Sequence, residues 1–64
     1  MKYIAWKHDP NCYDRLIYFF CYSVQAGTNE FSCMTTSFRE RAREFEEYPK
    51  DVEEKGFTIQ EVFE

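Results

Sequence analysis

SFRERAREFEEYPKDVEEKG, residues 37–56, decides how this 64-residue chain is read. Phe38, Ala42 and Phe45 recur at i, i+4 and i+7, the spacing of one helical face. Ser37, followed three residues later by Glu40, has the form of a capping box, in which hydroxyl and carboxylate each accept from the other residue's backbone N–H. Pro49 interrupts this pattern, because its ring would clash with the carbonyl of Phe45. The stretch therefore predicts an amphipathic helix over 37–48, then a kink or a fresh turn opened by Pro49. Val52 stays on the apolar stripe, and Gly56 ends the element as a C-terminal cap.

Outward from that helix, the chain reads as strands. MKYIAWKH (1–8) is β-prone, and DPNCYD (9–14) is turn chemistry. RLIYFFCYSV (15–24) puts Leu16, Tyr18, Phe20, Tyr22 and Val24 on one face and Ile17, Phe19 and Cys21 on the other. Apolar groups on both faces mark a central strand. QAGTNE (25–30) reads as a hairpin loop and FSCMTT (31–36) as its partner strand. FTIQEVF (57–63) closes the chain as a strand whose alternation slips between Ile59 and Val62, as at a bulge or in a two-sided strand. The expected fold is α+β: a small antiparallel sheet of three to four strands with one amphipathic helix packed on one face. The order is β-β-β-α-β, with the last strand pairing in parallel with the first. Residues 1–64 read as one domain, without repeat or linker.

A chain this short buries only about 60% of the surface it exposes when unfolded, so its core must be dense in large side chains. Seven Phe, five Tyr and one Trp answer that need. Cys12, Cys21 and Cys33 are an odd set, which fits reduced thiols better than a secreted disulfide scaffold. The first ten residues lack a signal-peptide core, and LIYFFCY is too short to span a bilayer. The expectation is a cytoplasmic protein without membrane contact.

Catalysis has little to build on. His8, Cys12, Cys21 and Cys33 have the composition of a Cys₃His zinc site but no Cys-x₂-Cys knuckle. Buried structural thiols are the simpler reading, and no metal is expected. Cys12 with His8 could form a nucleophilic pair, yet only Asp9 or Asp14 is near enough in sequence to orient the imidazole. Glu46 and Glu47 are adjacent and point apart. Gly27 and Gly56 have turn and cap positions and make no phosphate loop. No catalytic residue and no cofactor is assigned.

Charge is the stronger signal. Residues 1–36 carry three basic and three acidic groups, while residues 37–64 carry five basic and nine acidic, which is the whole net charge of −4. That balance argues against direct nucleic-acid binding and fits a basic partner. On the predicted helix Glu40, Glu44, Glu47 and Asp51 form an anionic stripe opposite the apolar one. Its bland reading is a solvated face, partly neutralised by Arg43 four residues before Glu47. Its functional reading is a docking surface: Glu40, Glu44, Glu47, Asp51, Glu53 and Glu54 supply charge, and Tyr48 supplies an anchor. The sheet face left open by one helix would add exposed aromatics from among Tyr3, Trp6, Tyr13, Tyr18 and Tyr22, for a partner protein or a second copy.

Whole-chain length, acidic balance, an aromatic-rich sheet and a helix running into KGFTIQEVF (55–63) make this chain resemble the small phage-encoded inhibitors of host machinery, of the anti-CRISPR type. The resemblance is one of class. It implies stoichiometric, non-enzymatic inhibition, in which the protein occupies a basic surface of a host protein or nucleoprotein complex, sometimes by mimicking DNA charge. Arg39, Arg41 and Arg43 depart from pure mimicry and favour a mixed interface. A self-associating structural or assembly protein, with the open sheet face as its homodimer interface, is the second reading, and a small Cys/His enzyme is the third; the chain itself is expected as a monomer or a homodimer.

Overall fold

The computed structural model describes residues 1–24, 26–28 and 30–63. Along the chain the elements are β1 (Lys2–Asp9), β2 (Cys12–Val24), β3 (Phe31–Thr36), a 3₁₀ turn (Arg39–Arg41), α1 (Lys50–Glu54) and β4 (Thr58–Val62). Across the four-stranded sheet the order is β3-β2-β1-β4. β1 pairs antiparallel with β2, and β2 with β3. β4 also runs antiparallel to β1, through Lys2↔Val62 to Trp6↔Thr58, which corrects the parallel pairing expected from a crossover. The continuous register of β4 holds no bulge; Ile59 and Val62 are half-buried on opposite sides.

The β1–β2 connection follows its sequence signals. The Asp9 carboxylate accepts from the Asn11 backbone N–H at 2.8 Å, an Asx turn that starts β2 at Cys12, earlier than Arg15. The β2–β3 loop turns at Gly27, φ 83°; Gln25 and Asn29 of the expected hairpin loop lie outside the described residues.

The helix over 37–48 does not form. Among the described residues only the 3₁₀ turn and the five-residue α1 are helical, and Ser37 makes no capping box: Phe38 caps the 3₁₀ turn without a side-chain bond. Pro49 does start a fresh helix, as its N-cap, and its carbonyl accepts from Val52 and Glu53. Gly56 sits at φ 99° just past that helix and donates to the Glu53 carbonyl, the C-terminal cap expected of it.

What replaces the long helix is a consequence of β2. Phe19 pairs with Thr35 but Cys21 pairs with Met34, so Phe20 is an extra residue, a β-bulge. Past the bulge β2 leaves β1, and residues 43–45 fill the opening. Arg43 donates its backbone N–H to the Phe19 carbonyl at 3.0 Å, and Phe45 and Tyr3 exchange two backbone bonds of 2.8 Å each. Backbone groups that β2 abandoned are thereby satisfied by an extended segment.

The chain crosses the sheet at this point. Ile4 and Ala5 are consecutive in β1, point to opposite faces, and are both buried. Ala5 belongs to the core, with fully buried Phe19 and Val52 and with Phe57; Phe45, Tyr22, Cys33 and Ile59 pack around them. Val52 is the one residue of α1 in that core. Ile4, on the other face, lies under Arg39, Glu40, Ala42 and Glu44. Residues 39–44 therefore cover one side of the sheet and α1 the other.

Candidate interaction surfaces

The predicted site residues are all exposed, but they do not form one stripe. Glu40 and Glu44 flank a groove of about 410 Å³ floored by Ile4, Ala42 and Val62 and shared with Arg39. Glu47, Tyr48, Asp51, Glu53 and Glu54 lie with α1 on the opposite face. The sheet thus divides the carboxylates into two sets.

The two sets differ in charge. Residues 39–44 hold Arg39, Arg41 and Arg43 against Glu40 and Glu44, a net +1 of mixed sign. Residues 46–54 hold Glu46, Glu47, Asp51, Glu53 and Glu54 against Lys50, a net −4. Two of the arginines lie over rings: the Arg41 guanidinium over Phe38 and that of Arg43 over Phe45, each 5.5 Å from the centroid.

Tyrosines organise the acidic lobe. The Tyr22 hydroxyl donates to the Asp51 carboxylate at 2.8 Å and ties α1 to β2. Burial, then that hydrogen bond, holds Tyr22 protonated, its pKa pushed up to about 12. The Tyr48 hydroxyl donates to Glu53, and this bond is the first cause of its raised pKa. Tyr48 also meets Tyr3 edge-on at 5.6 Å. Both carboxylates so engaged are fixed in direction, and the other oxygen of Asp51 accepts from the Val52 backbone N–H at 3.0 Å. Sequence alone did not pair Tyr22 with Asp51, which lie 29 residues apart. Their only signal is that a half-buried tyrosine needs a partner for its hydroxyl.

Tyr22 itself is a correction. The period of two placed it with Leu16, Tyr18 and Phe20, but the bulge moves it to the core side, where its ring meets Phe19 at 4.9 Å and Phe31 at 5.1 Å. Cys21 and Met34 stand on the other side, their sulfurs 3.6 Å apart. That side leaves Leu16, Phe20 and Met34 exposed, with Trp6 and Tyr18 paired and half-buried between them.

The nucleophile and metal readings gain no geometry. The thiols of Cys12, Cys21 and Cys33 are free, and burial pushes the Cys33 thiol up, away from reactivity. His8 stacks on Tyr13 at 5.3 Å and sets Nδ1 3.0 Å from the Tyr13 carbonyl oxygen, which can only accept. Among the described residues no group of three His, Cys, Asp or Glu side chains could hold a metal ion. Nor is any described helix long and apolar enough to cross a membrane. Compared with known proteins, the chain matches no family model, no curated protein and no solved structure.

Proposed function

We infer that this is a non-enzymatic interaction protein that covers a basic, nucleic-acid-binding surface of a host protein or nucleoprotein complex, in the manner of small phage inhibitors. One observation carries the reading: the net −4 of residues 46–54 is concentrated beside α1, with Asp51 and Glu53 oriented by tyrosine hydroxyls. Charge at that density raises the rate of encounter with a cationic surface, and Tyr48, half-exposed at the centre of the lobe, anchors the complex. Glu40 and Glu44, set among arginines, contribute less than Glu47 and Glu54.

The test is affinity capture from bacterial lysate with wild-type chain and with Glu47→Lys/Glu54→Lys, which leaves both tyrosine bonds in place. Wild type should retain a basic protein that double-stranded DNA displaces, and the double variant should lose at least tenfold of it. Equal capture by the two baits, or a captured partner indifferent to DNA, refutes the reading.

A further inference from the structure

We propose that the apolar face carrying Leu16, Phe20 and Met34 is a homodimer interface, occupied by the same face of a second copy of this chain. The inference is independent of the function proposed above, which uses the opposite side of the sheet.

Three observations carry it. The first is area. The chain exposes 4963 Å², whereas a folded monomer of this mass exposes about 4,400 Å². The excess, about 600 Å² over the whole chain, is surface beyond what a monomer of this mass needs, and a standard interface removes roughly 800 Å² from each partner. The second is where large apolar groups are exposed. Besides Met1, Tyr13, Val24, Tyr48 and Phe63, the accessible ones are Leu16 (36%), Phe20 (45%), Met34 (50%) and Phe38 (54%), and the first three of these four share one face with Trp6 and Tyr18. Phe38 borders them, its backbone N–H bonded to the Thr36 hydroxyl, and Thr36 is the cross-strand neighbour of Tyr18. An apolar patch of this composition, with aromatic and methionine side chains, is that of an interface core.

The third observation selects the occupant. The rim of this face is the segment RERARE (39–44), which mixes three arginines with two glutamates. A strongly basic partner would meet Arg39 and Arg41, and a strongly acidic one Glu40 and Glu44. A second copy related by a two-fold axis presents the same mixed row, so that arginines of one rim can face glutamates of the other. The acidic lobe of residues 46–54, the part that would repel a copy, lies on the far side of the sheet.

Sedimentation equilibrium on the full chain, from micromolar to about millimolar concentration, tests the proposal. Wild type should pass from the 7.8 kDa chain mass to twice that value. Met34→Glu should stay monomeric with an unchanged far-ultraviolet circular dichroism spectrum. Two exposed rim variants keep the test open should Met34→Glu fail to fold. Arg39→Glu/Arg41→Glu has a net-acidic rim, four glutamates against Arg43, and Glu40→Arg/Glu44→Arg an all-basic one. Each alone should weaken self-association at low salt by at least tenfold, and an equimolar mixture should restore the double mass. A wild-type chain that stays monomeric throughout, or rim variants that do not complement, overturns the proposal. A face kept for a different protein gives that monomeric outcome.

Discussion

Tyr22 shows how much one hydroxyl decides. Its ring joins the aromatic cluster around Phe19, and its oxygen reaches across to Asp51, so a β2 residue fixes the position of α1. The proton on that oxygen is held more tightly in the folded chain than in the unfolded one, about 12 against the ordinary 10.0. The sign follows directly. Between those two values the unfolded chain has lost its proton and the folded chain keeps it, so the folded state binds more protons and stability falls as pH rises. The contribution is fully present below pH 10 and is lost between about 10 and 12. Chemical denaturation of Tyr22→Phe should show about 1 kcal/mol less stability than wild type at pH 7, the net worth of such a bond. Across pH 10–12 the gap between the two should shrink. A wild-type pH profile parallel to that of the variant would show that the hydroxyl does not link α1 to β2.

At the scale of elements, the bulge at Phe20 decides more than any propensity. Phe38, Ala42 and Phe45 carry a genuine helical period, but a helix of twelve residues is marginal without tertiary support. Here tertiary contacts pull the other way. The Phe19 carbonyl and both backbone groups of Tyr3 face an opening that only an extended segment can fill, and residues 43–45 fill it. Phe45 still packs on Phe19, ring centroids 5.3 Å apart, so its burial was legible from its apolar spacing although its backbone conformation was not. The strands, the turn at Asp9–Asn11 and the Gly56 cap were legible because each rests on local chemistry. The bulge was hidden because Phe20 lies within an unbroken apolar run that fits either register. The division of the carboxylates into two faces was hidden with it, since it follows from where the chain crosses the sheet. One substitution separates the two readings of residues 37–48, and a second measures the cap they share. Ser37→Ala should change stability by less than about 0.5 kcal/mol, where a working capping box would lose about 1. Gly56→Ala should cost about 1 kcal/mol: nothing lies within 4 Å of the added Cβ, so the cost is that of holding φ at 99°. Thermal unfolding of both variants measures the pair, and a loss of about 1 kcal/mol in Ser37→Ala would restore the capping box and the long helix.

The whole molecule is a sheet with two unlike sides. On one, α1 closes a small core through Val52, and Lys7 over Phe57 and Lys55 over Phe31 cover its margins with cations at 4.8 and 4.7 Å. On the other, only residues 39–44 lie over the strands, and Leu16, Phe20 and Met34 remain in water. Among the described residues, Ile4, Ala5, Phe19, Val52 and Phe57 are the buried hydrophobic side chains, with Pro49 buried beside Val52's helix. So few buried groups leave little margin over conformational entropy, and association through the second side adds what one copy lacks. Folding and dimerisation are then linked, and the melting temperature depends on protein concentration. For a chain of this length unfolding from a dimer, each tenfold increase in concentration should raise it by about 5 °C. Calorimetry over a hundredfold concentration range measures the slope directly. Wild type should shift upward through that range, while Met34→Glu should melt at one lower temperature throughout, because the glutamate places a charge where the copies meet. A wild-type melting temperature that does not move with concentration would mean that these buried residues and α1 suffice for one chain, and that the open face has no part in its stability.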